Sequence, residues 1–233
     1  MIDKEKLLSD FFGNNYHKPM VVAPEEFMVI QKNGIMDLET LLEFETLVSE
    51  RMPNGFFITI NDEQVNAFAM KKNDISVVAI NAGSIKKIMY SANLIMLSDK
   101  ILLGIGDMSA CRENIIAEEY PITEDGDNVL LYISGDSTRE AVGYMIANLA
   151  VRFMLYHEIE HHEEGHVKRF NDKYSLFCKE VSNDKERIEL EERKKMEFEA
   201  DMYAMTQIVN DFEILAEIWG KVLNLEVTYS EMF

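Results

Sequence analysis

Apolar side chains recur at two different periods along this 233-residue chain, and the switch between them marks its organisation. After Asp37, a residue able to cap a helix, Leu38, Leu41, Leu42, Leu47 and Val48 return at helical spacing until Pro53-Asn54-Gly55 ends the pattern. Upstream, Glu25 to Lys32 follows Pro24 and stops before Asn33-Gly34, so residues 1–50 are expected to form a helical packing part. From residue 56 the apolar runs shorten and become partly β-branched: Phe56 to Ile60, Val65 to Met70 and Ile75 to Ile80. Polar turns at 61–63 and 71–74 separate them, which predicts three neighbouring antiparallel strands within 56–83. Asn81 to Ser84 marks the exit into a helix from Ile85 to about Leu97.

Residues 98–136 are less periodic, with a strand expected at Val129 to Ile133 after an acidic turn at Thr123 to Asn128. A surface hairpin and a substrate-covering insertion fit this stretch equally well. Ser137-Thr138-Arg139-Glu140 has the spacing of a capping box, in which serine and glutamate satisfy orphan backbone donors. Val142, Met145, Ile146, Leu149 and Phe153 then predict a long helix, buried on several faces and stopped near Gly165. Residues 170–184 read as a connection. A second long helix is expected over Lys185 to Val209, with a break at Asn210-Asp211 before a final helix at Phe212 to Leu223. The whole chain, 1–233, reads as one α+β domain whose part 137–233 is helical.

Composition narrows the function. Lys and Arg number 23 against 42 Asp and Glu, a formal net charge of −19. That field repels phosphate backbones, so nucleic acid is not an expected partner. Two cysteines, Cys111 and Cys178, set no disulfide framework. The N-terminus lacks signal-peptide features and no apolar run reaches membrane-spanning length, which leads to an expectation of a cytoplasmic protein.

The chemistry concentrates at His157-Glu158-Ile159-Glu160-His161. On a helix, residues four apart are rotated by only about 40°, so both imidazoles can address one ion. Glu158 lies about 100° round from His157, beside a metal-bound water without entering the coordination shell. A catalytic zinc site needs a third protein ligand and an open position. Glu197 and Asp201 offer the next candidates, four apart on the second long helix. If Glu197 reaches the metal, Asp201 approaches from the adjacent turn and can accept a hydrogen bond from the outer nitrogen of His157.

These two segments, with Glu197-Phe198-Glu199-Ala200-Asp201 as the second, resemble the gluzincin metallopeptidases, most closely the Ste24 and HtpX branch with its E-x-x-A-D motif. Asn66-Ala67-Phe68-Ala69 and Val77 to Gly83 are similar to two strands of that family, the latter being the edge along which substrate is laid. The resemblance implies a zincin-like core with a small antiparallel sheet and two long active-site helices. It implies one Zn2+ held by His157, His161 and Glu197, Glu158 as catalytic base, and Asp201 behind the ligands. It also makes 98–136 an insertion, because roughly 70 residues separate Gly83 from His157. The family's membrane helices are absent from this chain, and no downstream histidine answers to its oxyanion donor.

The expected activity is therefore hydrolysis of peptide bonds in peptides or proteins, as an endopeptidase rather than an exopeptidase. Tyr203, Tyr156, Arg169 and His166 are the candidates for oxyanion or substrate contact. The acidic surface suggests neutral or basic substrates. His166 is in the wrong register for the zincin class that uses a third histidine, since glycine and histidine follow His161 by four and five residues rather than three and six. His166 is expected to be solvated and His162 to lie on the surface. Paired E-x-x-H motifs of a di-iron bundle would have to sit on different helices, and here both share one. The rival to an enzyme is a scaffold or protein-interaction module that keeps the fold without catalysis.

Overall fold

A computed structural model of the chain describes residues 3–12, 38–72, 74–113, 116–121, 128–133, 135–167 and 183–223. The helix expected at 25–32, the cap at Asp37, most of the connection 170–184, Cys178 and Arg169 lie outside them. Helices α1 (Lys4–Phe12) and α2 (Leu38–Arg51) precede strands β1 (Gly55–Ile60), β2 (Ala67–Lys72) and β3 (Ile75–Asn81). Helix α3 (Ala82–Met96), the short α4 (Met108–Glu113) and strands β4 (Ile116–Pro121) and β5 (Asn128–Ile133) follow. Two long helices complete the order, α5 (Ser137–Glu163) and α6 (Asn183–Leu223). The fold is α+β and zincin-like, with a small sheet and two long helices carrying the candidate metal ligands.

The three-stranded sheet has the order β1-β3-β2. The β2–β3 pair is antiparallel, as the turn at 71–74 predicts, but β1 lies parallel to β3 and does not pair with β2. This corrects the expectation of three antiparallel neighbours. Local alternation identifies a strand's faces but carries no information on its neighbour, so the crossover was invisible to pattern reading. Its consequence is that β3 is the central strand, with Val77, Val78, Ala79 and Ile80 all fully buried. A strand covered on both faces needs a continuous apolar run, which this one has.

Each face of the sheet builds its own core. Phe57, Val78 and Ile80 pack with Phe44 and Val48 of α2, Ile85 and Met89 of α3, and Val151, Leu155 and Ile159 of α5. Ile58, Ile60, Val77 and Ala79 pack on Leu7 and Leu8 of α1. The second sheet is the antiparallel pair β4–β5, whose register opposes Ile116 to Ile133.

Helix α5 starts one residue earlier than a Ser137–Glu140 capping box requires. The cap is Asp136, whose carboxylate accepts from the Arg139 backbone N–H at 2.8 Å. Arg139 itself is buried, and its guanidinium donates to the carbonyls of Met96, Ser98, Leu102 and Ile105 at 2.7–3.1 Å. One cation thus satisfies the last carbonyl of α3 and ties the irregular segment after it to the root of α5.

Helix α6 has no break at Asn210-Asp211. Asp211 accepts hydrogen bonds from the Tyr156 hydroxyl at 2.9 Å and from Arg152 at 3.3 Å. Its carboxylate is engaged by the neighbouring helix instead of competing for its own backbone, so the helix continues. Arg152 also meets Asn148 and Glu43, which joins α2, α5 and α6 in one polar network.

The crossover segment between β1 and β2 passes over the β3–α3 junction. Gly83 N–H donates to Asp62 O at 2.9 Å, Asn81 N–H to Asn66 O at 3.0 Å, and the Ser84 hydroxyl to Asn66 O at 2.8 Å. A Cβ at Gly83 would lie 2.1 Å from the Glu63 carbonyl oxygen. Backbone cannot rotate aside as a side chain can. Gly83→Ala is therefore expected to lower stability by about 3 kcal/mol, read as a fall in the urea midpoint.

Candidate metal centre

Helices α5 and α6 run antiparallel in contact, since His161 meets Glu197, His157 meets Asp201, and Arg152 meets Asp211. The one-turn spacing of His157 and His161 brings their Nε2 atoms within 3.1 Å. Glu197 Oε2 lies 3.3 Å from His157 Nε2 and 3.7 Å from His161 Nε2. Donors about 2.0–2.1 Å from a tetrahedral zinc stand about 3.3 Å from one another, close to these separations. The donor set, two imidazoles and one carboxylate, fits a single Zn2+ and leaves a fourth position for water or substrate.

The charge pattern favours a cation at this point. His157 Nδ1 is 2.9 Å from Asp201 Oδ1, so its proton belongs on that nitrogen and its Nε2 lone pair faces inward. That lone pair then meets a carboxylate oxygen and a second imidazole nitrogen. Without metal, a proton does the same service. Burial lowers the basicity of His157, but the Glu197 hydrogen bond and the carboxylates of Glu158, Glu197 and Asp201 outweigh it and raise the pKa. Hydrogen bonds from His157 and His161 hold the Glu197 carboxyl well below the usual carboxylate range.

Glu158 is buried, at 8% exposure. Burial pushes its carboxyl up to about 7, with His157 and His161 partly opposing the rise and the Ala69 backbone hydrogen bond also lowering it. The Ala69 contact joins the carboxylate to strand β2. Glu158, the triad, Asp201 and Arg193 line a cleft of 570 Å3 whose opposite wall is Val65 to Ala69.

The other candidates are placed elsewhere. The Tyr156 hydroxyl donates to Asp211, which pushes its pKa together with burial up to about 12, and Tyr203 lies beside Glu163 and Arg51. Neither lines the cleft. His162 is half-buried rather than on the surface, with its Nε2 3.1 Å from Val77 O and its pKa lowered mainly by burial. His166 is also not solvated: it is 1% exposed and lies behind His161. Arg193 belongs to the charged run just before Glu197, which reads mainly as a solvated helix face with room for one basic residue at the cleft, and it does line the cleft.

A family model described as Peptidase U49 matches residues 113–217, a little under half of the chain, and covers α5, most of α6 and all three ligand positions. The chain carries a zinc-metallopeptidase-like domain. No curated protein matches it, and no solved structure does. No helix among the described residues is long and apolar enough to cross a membrane. The ligand cluster is that of a catalytic zinc site for peptide hydrolysis, and the domain is a zinc-dependent protease.

The buried Glu158 carboxyl has a consequence for the metal-free protein. Its pKa in the folded state is raised above the unfolded value, so the folded state binds the extra proton between pH 4.5 and about 7. Its contribution to stability is therefore greatest at low pH and is lost as pH rises through that window. In chelator-treated protein, Glu158→Gln should be more stable than the parent at pH 8 by up to about 3 kcal/mol and gain much less near pH 5. Denaturant melts of both proteins at the two pH values measure the difference.

Proposed function

We propose that the domain cleaves internal peptide bonds with Glu158 as general base and His157, His161 and Glu197 as the zinc ligands. When bound, Zn2+ acidifies a water towards neutrality and withdraws charge from the scissile carbonyl. The observation that carries this reading is the carboxyl of Glu158, buried one residue after a ligand and lining the same cleft as His157, His161 and Glu197. A carboxylate held at that place can take a proton during attack and return it to the departing amine. A purely structural zinc site has no use for such a group. Asp201 acts by accepting a hydrogen bond from the Nδ1–H of His157, which keeps the Nε2 lone pair directed at the metal.

Substrate is laid on β2. The edge expected at Val77 to Gly83 is unavailable, because β3 is paired on both sides. Among the described residues, strand β2 is paired on one side, and it lines the cleft through Ala67, Phe68 and Ala69. Backbone pairing along such an edge positions an extended peptide with little sequence selectivity. With Tyr156 and Tyr203 turned away, Arg193 is the cleft residue we assign to a substrate carbonyl or carboxylate. Within the gluzincins, the N-A-F-A strand and the E-x-x-A-D segment support a kinship with the Ste24 and HtpX branch.

Metal analysis alongside peptide-library cleavage tests the proposal. His157→Ala, His161→Ala and Glu197→Ala should each lose zinc. Glu158→Gln should keep one zinc per chain while hydrolysis falls by at least about 100-fold. A wild-type protein that retains zinc but cleaves nothing would favour the scaffold reading instead.

A further inference from the structure

We infer that His166 is a positioning residue for the ligand His161, and that Glu199 in turn orients His166. The inference rests on the zinc reading of the triad and deepens it. His166 Nδ1 lies 3.0 Å from His161 Nδ1, with the two rings at 62° and 5.2 Å between centroids. On its far side, His166 Nε2 is 3.7 Å from Glu199 Oε2. The metal side of His161 is its Nε2, which faces His157 and Glu197.

Counting protons leaves one arrangement that suits every atom. A ligating Nε2 keeps its lone pair, so the neutral His161 ring carries its proton on Nδ1. That N–H donates to His166 Nδ1, which must then be an acceptor. The proton of His166 accordingly sits on Nε2 and faces the Glu199 carboxylate. The alternative tautomer of His166 would set two N–H groups against each other at 3.0 Å. His157 and His161 are thus braced in different ways, the first by the Asp201 carboxylate and the second by an imidazole backed by a carboxylate.

The chain is built to make this contact. Helix α5 ends at Glu163, and Gly165 adopts φ +68°, a left-handed conformation that glycine reaches without penalty. The chain reverses there and returns His166 to the helix it has just left. His166 is 1% exposed, so its imidazole has been taken out of water to face another imidazole. Residues that fix the outer nitrogen of a ligating histidine tune how strongly the metal is held.

Zinc affinity, measured by competition with a chromophoric chelator, and the visible spectrum of the Co2+-substituted protein test the inference without recourse to activity. His166→Phe removes the acceptor and should weaken zinc binding by about 10–100-fold and alter the Co2+ spectrum. His166→Gln can offer its amide oxygen to the His161 N–H and should stay within roughly 3-fold of wild type. Glu199→Gln changes a half-exposed side chain and should weaken binding by about 3–10-fold. Wild-type affinity in folded His166→Phe would overturn the proposal, as would equal losses in the Phe and Gln variants, which would signify packing alone. If His166→Phe does not fold, wild-type affinity in Glu199→Gln or a 10-fold loss in His166→Gln would overturn it. A wild-type protein that takes up no zinc would instead bring down the metal reading itself.

Discussion

Three electron-rich atoms from two helices meet at one point in this protein, and they cannot remain there without positive charge between them. His157 Nε2, His161 Nε2 and Glu197 Oε2 stand 3.1–3.7 Å apart. Two imidazole lone pairs and a carboxylate repel one another unless a proton or metal ion is shared. The rest of the structure supplies the mechanical force that keeps them together. Helices α5 and α6 are clamped further along by Asp211, which accepts from both Tyr156 and Arg152, while α5 is anchored at its start by Arg139. The energy of folding is thus used to hold ligands in a geometry that metal can exploit.

The same helix shows how neighbouring residues acquire different chemistry. His157 and Glu158 are adjacent in sequence but face different surroundings. His157 is surrounded by carboxylates and is driven towards protonation. Glu158 is withdrawn from water behind β2, and burial drives it in the same direction, towards its neutral form. In the metal-free site both side chains are thus pushed towards their protonated forms, one by neighbouring charge and the other by burial. Neither property belongs to the residue type; each follows from what α6 and β2 bring alongside.

Much of the candidate site could be read from spacing. His157 and His161 one turn apart, and Glu197 and Asp201 one turn apart, describe two helix faces, and the faces do meet. Helix α3 and strands β2 and β3 also fall close to their expected bounds. The uninterrupted α6 and the parallel β1 depend on partners distant in sequence, whereas the cap at Asp136 and the contact of His166 with His161 lie within five residues and turn on local backbone geometry. Asp211 looks like a helix breaker until Arg152 and Tyr156 engage it, and His166 looks solvated until the turn at Gly165 folds it beneath His161.

By itself the sequence determined the identity of the metal-binding chemistry, because ligand type and helical spacing are local and survive any arrangement of the helices. It also located β1, β2, β3 and β5, since alternation and β-branching act within a few residues, but not β4. Tertiary structure alone decided which strand is the edge, which carboxylate lies in the dark, and which histidine stands behind a ligand. Those outcomes depend on strand order and helix crossing. Both are settled by the packing of two apolar cores against opposite faces of one sheet, and no window along the chain contains both sides of that contact.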